Sequence, residues 1–203
     1  MTRYEVGEYI GCGTAAAFFR LRKYPRIGVK ILSKEGDSFL SKGKCKRKLQ
    51  WELAVGKLLR KSGISVPRYI GVVKVKFPEY FAQTMETRKS QIAIEKDAKN
   101  IEMGVQGLSA IIKSLTGKVR WGLLIELVEN DVSIISKERL AYYHQREIDK
   151  VESLGITVRD SKLARNVLWS SSRRKLYLID FEFWKLSSEL EKQLKKGLWK
   201  TFF

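Results

Sequence analysis

In the segment GITVRDSKLARNVLWSSSRRKLYLIDFEF, residues 155–183, Asp160 and Asp180 stand beside apolar runs, with Asn166 between them, one of only three asparagines in the chain. Carboxylates are scarce here: 40 Lys and Arg face 22 Asp and Glu, a formal net charge of +18. Charged side chains are seldom buried without a partner, so each aspartate should face a cation or a reacting group. A second oddity is Glu52, the only carboxylate between residues 38 and 78, where eleven residues are Lys or Arg. One acid among so many bases is not a solvation device. It either pairs with a lysine of its own helix or serves a cation from elsewhere in the chain.

The elements that must position these residues follow from pattern. Residues 4–33 predict three short strands, YEVGEYIG, AFFRLRKY and IGVKIL, with a small-residue turn at CGTAA and a hairpin turn at YPR. Residues 39–62 predict a helix in which Leu49, Leu53, Gly56, Leu58 and Leu59 approximate one apolar stripe and Ser62-Gly63 ends the run. VPRYIGVVKVKF reads as a strand. Residues 79–117 read as a partly helical insertion, with LSAIIKSL closed by Gly117, and WGLLIELV as a buried strand. A helix is expected over about 136–154, capped by Ser136 and ended by Gly155. VLW and KLYLID predict short strands joined by the SSSRR turn, and a last helix covers about 187–197.

At 203 residues the chain suits one domain or two small lobes. It contains no apolar run near the roughly 20 residues of a membrane span, and MTRYEVGEYIGCG lacks the apolar core of a signal peptide. Cys12 and Cys45 make neither a metal-ligand spacing nor a disulfide framework, so a reducing, cytoplasmic setting is expected. The positive charge predicts attraction to nucleic acid, acidic protein or phosphate-bearing ligands, with local basic clusters at 42–48 and 173–175. His144, the lone histidine, is expected to be a surface or packing residue rather than a catalyst.

The order of these elements and residues resembles the protein-kinase-like superfamily everywhere except 79–117. GCGTAAAF is similar to the glycine-rich loop G-x-G-x-x-G-x-V, with Ala16 and Phe18 replacing the third glycine and the valine. The resemblance implies that backbone amides around Gly11, Gly13 and Thr14 face nucleotide phosphates. IGVK resembles V-A-I-K, which makes Lys30 the phosphate-pairing lysine and Glu52 the helix glutamate that holds it. LLIELVEN resembles the strand and hinge that present backbone groups to adenine, with Ile125 as gatekeeper and Glu126 to Val128 as hinge. SLGITVRDSKLARNVLW resembles the phrase lGivHRDlkpxNvL. On that match Asp160 orients the substrate hydroxyl and accepts its proton, Asn166 helps hold Mg²⁺, and Asp180 in IDFEF bridges metal and phosphates. ELAVGKLLRKSGISVP is similar to a run found in RIO-type kinases and in the small kinase of the KEOPS tRNA-modification complex.

Several positions depart from the pattern. Val158 replaces the motif histidine, and Asn166 follows Asp160 by six residues instead of five, so either the loop bulges or Asn166 misses the metal. Glu182 replaces the DFG glycine, as in choline and aminoglycoside kinases. Only 23 residues follow Asp180, so the resemblance is to a minimal kinase. It implies an α+β, two-lobed protein-kinase-like fold: a β-rich N-lobe and hinge over 1–128, carrying the insertion at about 79–117, and a strongly truncated helical C-lobe over 129–203. The implied activity is transfer of the ATP γ-phosphate, with Mg²⁺ or Mn²⁺, to serine or threonine hydroxyls of a protein substrate, the chain itself included. Two alternatives are a small-molecule phosphotransferase and a pseudokinase scaffold that binds nucleic acid or protein through its basic surface.

Overall fold

The computed structural model describes residues 4–12, 16–32, 42–79, 115–159, 166–181 and 184–202. These form a mixed α+β structure with a β-rich sheet and three α-helices. They divide into two compact units, Met1–Leu49 with Gly71–Ile125 and Gln50–Ile70 with Glu126–Phe203. No helix among the described residues is long and apolar enough to cross a membrane.

The first unit is built on a barrel. Strands β1 (Tyr4–Cys12), β2 (Ala16–Leu21), β3 (Tyr24–Leu32), β4 (Tyr69–Lys76) and β5 (Val119–Glu126) close in the order β1-β2-β3-β5-β4. Closure comes from the parallel pairing of Tyr4 with Val75 and Glu5 with Lys76. Strand β2 alternates strictly, with Ala17, Phe19 and Leu21 buried, as the two-residue period of a half-buried strand requires. Phe19 meets Phe77 edge-on at 5.3 Å and Tyr9 at 5.7 Å, and Val6, Val29, Ile31, Val75 and Leu123 fill the rest of the interior. Gly122 is needed for closure: a Cβ there would stand 2.4 Å from Val29 Cγ2 and 2.8 Å from Ile31 Cδ1.

The hairpin turn is not at YPR. It falls on Arg22-Lys23, with Leu21 paired to Tyr24, and Tyr24–Arg26 belong to β3. Arg20 pairs with Gly28, so residues 25–27 are extra on the β3 side, an irregularity where Pro25 loses no ladder bond. The Pro25 carbonyl accepts instead from the Arg20 guanidinium at 2.6 Å.

The second unit begins within α1 (Lys42–Lys61). That helix ends where expected, with Gly63 at φ 80 and the Ile64 N–H donating to the Leu59 carbonyl at 2.9 Å. Helix α2 (Lys137–Ser153) has its Ser136 Oγ cap accepting from the Arg139 N–H at 3.3 Å, and Gly155 at φ 76 follows its end. Its buried stripe is Leu140, His144, Glu147, Ile148 and Val151. His144 is therefore a packing residue, and burial pushes its imidazole below the ordinary value. Glu147 is 3% exposed and is matched by the Ser65 N–H at 2.8 Å and by Lys150 Nζ at 2.6 Å. Burial alone would raise its carboxyl; the bonds from Lys150 and Ser65 win and hold it below the ordinary range.

Strands β7 (Val167–Ser170) and β8 (Lys175–Leu178) form the hairpin predicted around SSSRR. A two-residue pairing, β6 (Ile156–Thr157) with β9 (Lys185–Leu186), had no visible pattern. Helix α3 (Ser188–Phe202) runs beyond the expected 197. The expected helix at LSAIIKSL lies, apart from its last residue, outside the described residues.

Candidate functional site

In the first unit, strand register aligns two of the expected residues. Phe18 of β2 pairs with Gly11 on one side and with Lys30 on the other. Directly paired residues share a face of a sheet. Phe18 and Lys30 thus lie on the face opposite the buried Ala17, Phe19 and Leu21, and both are half-buried. A Cβ on Gly11 would meet nothing within 4 Å, so no packing within the described chain demands a glycine there. Gly13 and Thr14 lie outside the described residues.

In the second unit the β7–β8 hairpin sets the relation of Asn166 to Asp180. Val167 pairs with Leu178, and one step beyond, the Ile179 N–H donates to the Asn166 carbonyl at 3.0 Å. Asp180 follows at once, exposed and at φ 58, a left-handed conformation uncommon outside glycine and adopted more readily by Asp and Asn than by other residues. Its successor does the anchoring. Phe181 is buried, with its ring 5.4 Å from Tyr69 and 5.4 Å from Trp184, and its carbonyl accepts from the Trp184 N–H at 3.1 Å. The left-handed Asp180 turns the chain out of the β8 strand direction just before this anchor.

Tyr69 ties this turn to Glu52. Its ring lies against Gly56 of α1, one helical turn from Glu52 and on the same face. The phenol is pushed well above its ordinary value, first by burial and then by the negative charges of Glu52 and Asp180. Two carboxylates that sequence separates by 128 positions therefore act on one buried hydroxyl. Composition had marked Glu52 and Asp180; nothing had marked Tyr69.

The expected hinge is fastened to the hairpin tip. The Glu126 N–H donates to the Arg68 carbonyl at 2.9 Å, and its carboxylate accepts from the Arg68 N–H at 3.2 Å and from Arg173 Nη1 at 2.9 Å. Burial raises the Glu126 carboxyl, but Arg173 and Arg68 more than offset this and leave it lowered. Further along, Ser172 Oγ donates to Glu129 at 2.8 Å, the Ser171 hydroxyl and N–H both donate to Asp131, and the Asp131 N–H donates to the Trp169 carbonyl at 2.8 Å. Val128, within this segment, is half-buried. A legible signal was the spacing of three acids, Glu126, Glu129 and Asp131, in an otherwise basic chain that also carries SSSRR.

Asp160 lies outside the described residues, between β6 and β7. Asn166 and Asp180 carry amide and carboxylate oxygens, the hard donors that suit Mg²⁺. Among the described residues no three His, Cys, Asp or Glu side chains gather into a metal cluster. Compared with known proteins, the chain matches no family model and none of the curated proteins.

Proposed function

We propose that this protein is a minimal, two-lobed kinase-like phosphotransferase that moves the γ-phosphate of Mg-ATP to serine or threonine hydroxyls, its own among them. The observation that carries this reading is the turn at Asp180. An exposed carboxylate in a left-handed backbone is pinned from behind by buried Phe181 and from the side by the Ile179–Asn166 bond. Strained, over-determined conformations of this kind persist where a side chain must be aimed.

Phosphoryl transfer asks a protein for positioning and charge neutralisation more than for covalent chemistry. A bound Mg²⁺ supplies charge compensation between the phosphates. Asp180 would hold that ion, with Asn166, whose carbonyl accepts from the neighbouring Ile179 N–H, offering a second oxygen donor. Lys30 neutralises phosphate oxygens, and Glu52 is the carboxylate that keeps a lysine charged and oriented. Asp160 orients the acceptor hydroxyl and takes its proton as the new oxygen–phosphorus bond forms and the γ-phosphorus bond to the departing ADP oxygen breaks. Backbone groups of Glu126 to Val128 meet the base, in a segment held steady by Arg173, Ser171 and Ser172.

A small-molecule acceptor is the second reading, favoured by Glu182 in place of the DFG glycine. Incubation with γ-labelled ATP and Mg²⁺ or Mn²⁺, alone and with generic protein or small hydroxylated acceptors, tests both. Label in protein supports the first reading, and label in small acceptors alone supports the second. No metal-dependent transfer to any acceptor rejects both.

A further inference from the structure

The second unit carries a cleft of about 320 Å³ on the far end of the β7–β8 hairpin from Asn166 and Asp180. Arg146 and Lys150 line it from α2, Arg173 and Arg174 from the hairpin turn, and Lys175 from the start of β8. One carboxylate, Glu147, also lines it, but that charge is already met by Lys150 and the Ser65 N–H. Arg173 is likewise engaged by Glu126. Among the described residues no carboxylate pairs with Arg146, Arg174 or Lys175. Arg146 instead sits over the Tyr143 ring at 5.6 Å and Lys175 over the Tyr177 ring at 5.5 Å. Arg174 is at φ 48, one of two left-handed non-glycine residues among those described. The other acid nearby on α2, Asp149, accepts from Gln145 at 2.7 Å.

We infer that this cleft binds the sugar-phosphate backbone of single-stranded nucleic acid, with Tyr142 stacking on a base. The volume admits a phosphate and its sugar, not a folded partner. Three cations that pair with no carboxylate among the described residues, two of them over rings, are ready for an anion. Tyr142 is 64% exposed, and its ring lies 5.6 Å from that of Tyr143, which lines the cleft and itself stacks on Trp169 at 5.3 Å. Tyr142 and Arg146 are four residues apart on α2 and share a face. An exposed aromatic beside a basic groove is the arrangement that takes successive phosphates and bases of an unpaired strand. An acidic or phosphorylated peptide would use the charges and leave the ring idle. The net charge of +18 adds long-range attraction to any polyanion and supports capture by the cleft. This site does not depend on the phosphotransfer reading.

The test is fluorescence anisotropy of the full chain with a labelled single-stranded oligonucleotide of about 15 nucleotides, without ATP or metal. Binding is compared between about 50 and 200 mM salt. The cleft variant is Arg146→Gln, Arg174→Gln, Lys175→Gln. A control, Lys185→Gln, Lys192→Gln, Lys196→Gln, removes the same charge from exposed positions outside the cleft. The cleft variant should bind roughly tenfold or more weakly, with a salt slope smaller by about 2, while the control stays within about threefold. Tyr142→Ala should bind roughly fivefold or more weakly with an unchanged slope, and Tyr142→Phe should match wild type. Equal losses in the two charge variants would overturn the site, because the field of the whole chain would then suffice. So would full binding by Tyr142→Ala, or competition by a phosphoserine peptide equal to that of an oligonucleotide of the same charge. Melting curves of each variant confirm that the fold survives.

Discussion

The ring of Tyr69 rests on Gly56: a Cβ on that glycine would stand 2.4 Å from Tyr69 Cδ2 and 2.5 Å from Cγ. This contact seats a buried phenol one helical turn from Glu52, and the same ring then receives Phe181, the residue after Asp180. A glycine in the middle of a helix is ordinarily a weakness, by about 1 kcal/mol relative to alanine. Here close approach is what the position provides.

Gly56→Ala should therefore destabilise the protein despite the gain in helix propensity. The methyl would meet the inner atoms of a buried ring, which cannot swing aside as a long flexible chain could. Overpacking of this kind costs about 1–3 kcal/mol, and Tyr69→Leu in the same chain should recover part of it because the two positions couple. Urea unfolding measures both. An unchanged midpoint for Gly56→Ala would show that Tyr69 does not hold this place.

Acid should weaken the second unit in two stages. His144 is held below its ordinary value of 6.5 by burial, so the stability tied to its neutral form is present above about pH 6.5 and lost as pH falls towards its lowered value in the fold. Glu147 lies below its ordinary value of 4.5, so its contribution is present above that pH and lost as pH falls through the still lower folded value. His144→Phe should flatten the upper stage and Glu147→Gln the lower one. Glu147→Ala should cost about 1–3 kcal/mol at neutral pH, since the buried Ser65 N–H loses its acceptor. Unfolding free energy measured across the acid range checks each sign.

Replacing Asp180 separates aiming from folding. At φ 58 a glycine is at ease and an alanine is not. Asp180→Gly should be more stable than Asp180→Ala by about 1 kcal/mol, while both lack metal-dependent transfer. Equal stabilities would mean that the left-handed turn relaxes once the carboxylate is gone.

What the sequence disclosed, and what it withheld, divides along physical lines. Local grammar was readable: the Ser136 cap, the Gly63 and Gly155 helix ends and the SSSRR turn each depend on a few adjacent residues. The YPR turn was misplaced because proline is equally at home in a turn and at an irregular strand start. The two-residue pairing of Ile156–Thr157 with Lys185–Leu186 is too short to leave a period. Glu52, Asn166 and Asp180 stood out by scarcity. Tyr69 did not, since its burial is set by a missing Cβ on Gly56. Nor did the basic cleft, whose walls come from α2 and the hairpin turn and whose one carboxylate is met from Ser65, 82 residues away.

Lys30 offers a test within the first unit. Its half-buried position opposite Phe18 leaves the barrel interior untouched, so Lys30→Ala should keep its melting temperature within a few degrees. Transfer should nevertheless fall by about two or more orders of magnitude, as expected when a contact to the transferring phosphates is removed. Wild-type turnover in this variant would remove Lys30 from the proposed machinery.

The most direct measurement pairs calorimetric Mg-ATP affinity with transfer rate for Asp180→Ala and Asp160→Ala. Asp180 is assigned to the ion and Asp160 to the incoming hydroxyl, so the two should fail differently. Asp180→Ala should bind Mg-ATP weakly and transfer nothing measurable. Asp160→Ala should bind Mg-ATP about as tightly as wild type and turn over slower by about two to four orders of magnitude. Full transfer activity in both variants would contradict the phosphotransfer account.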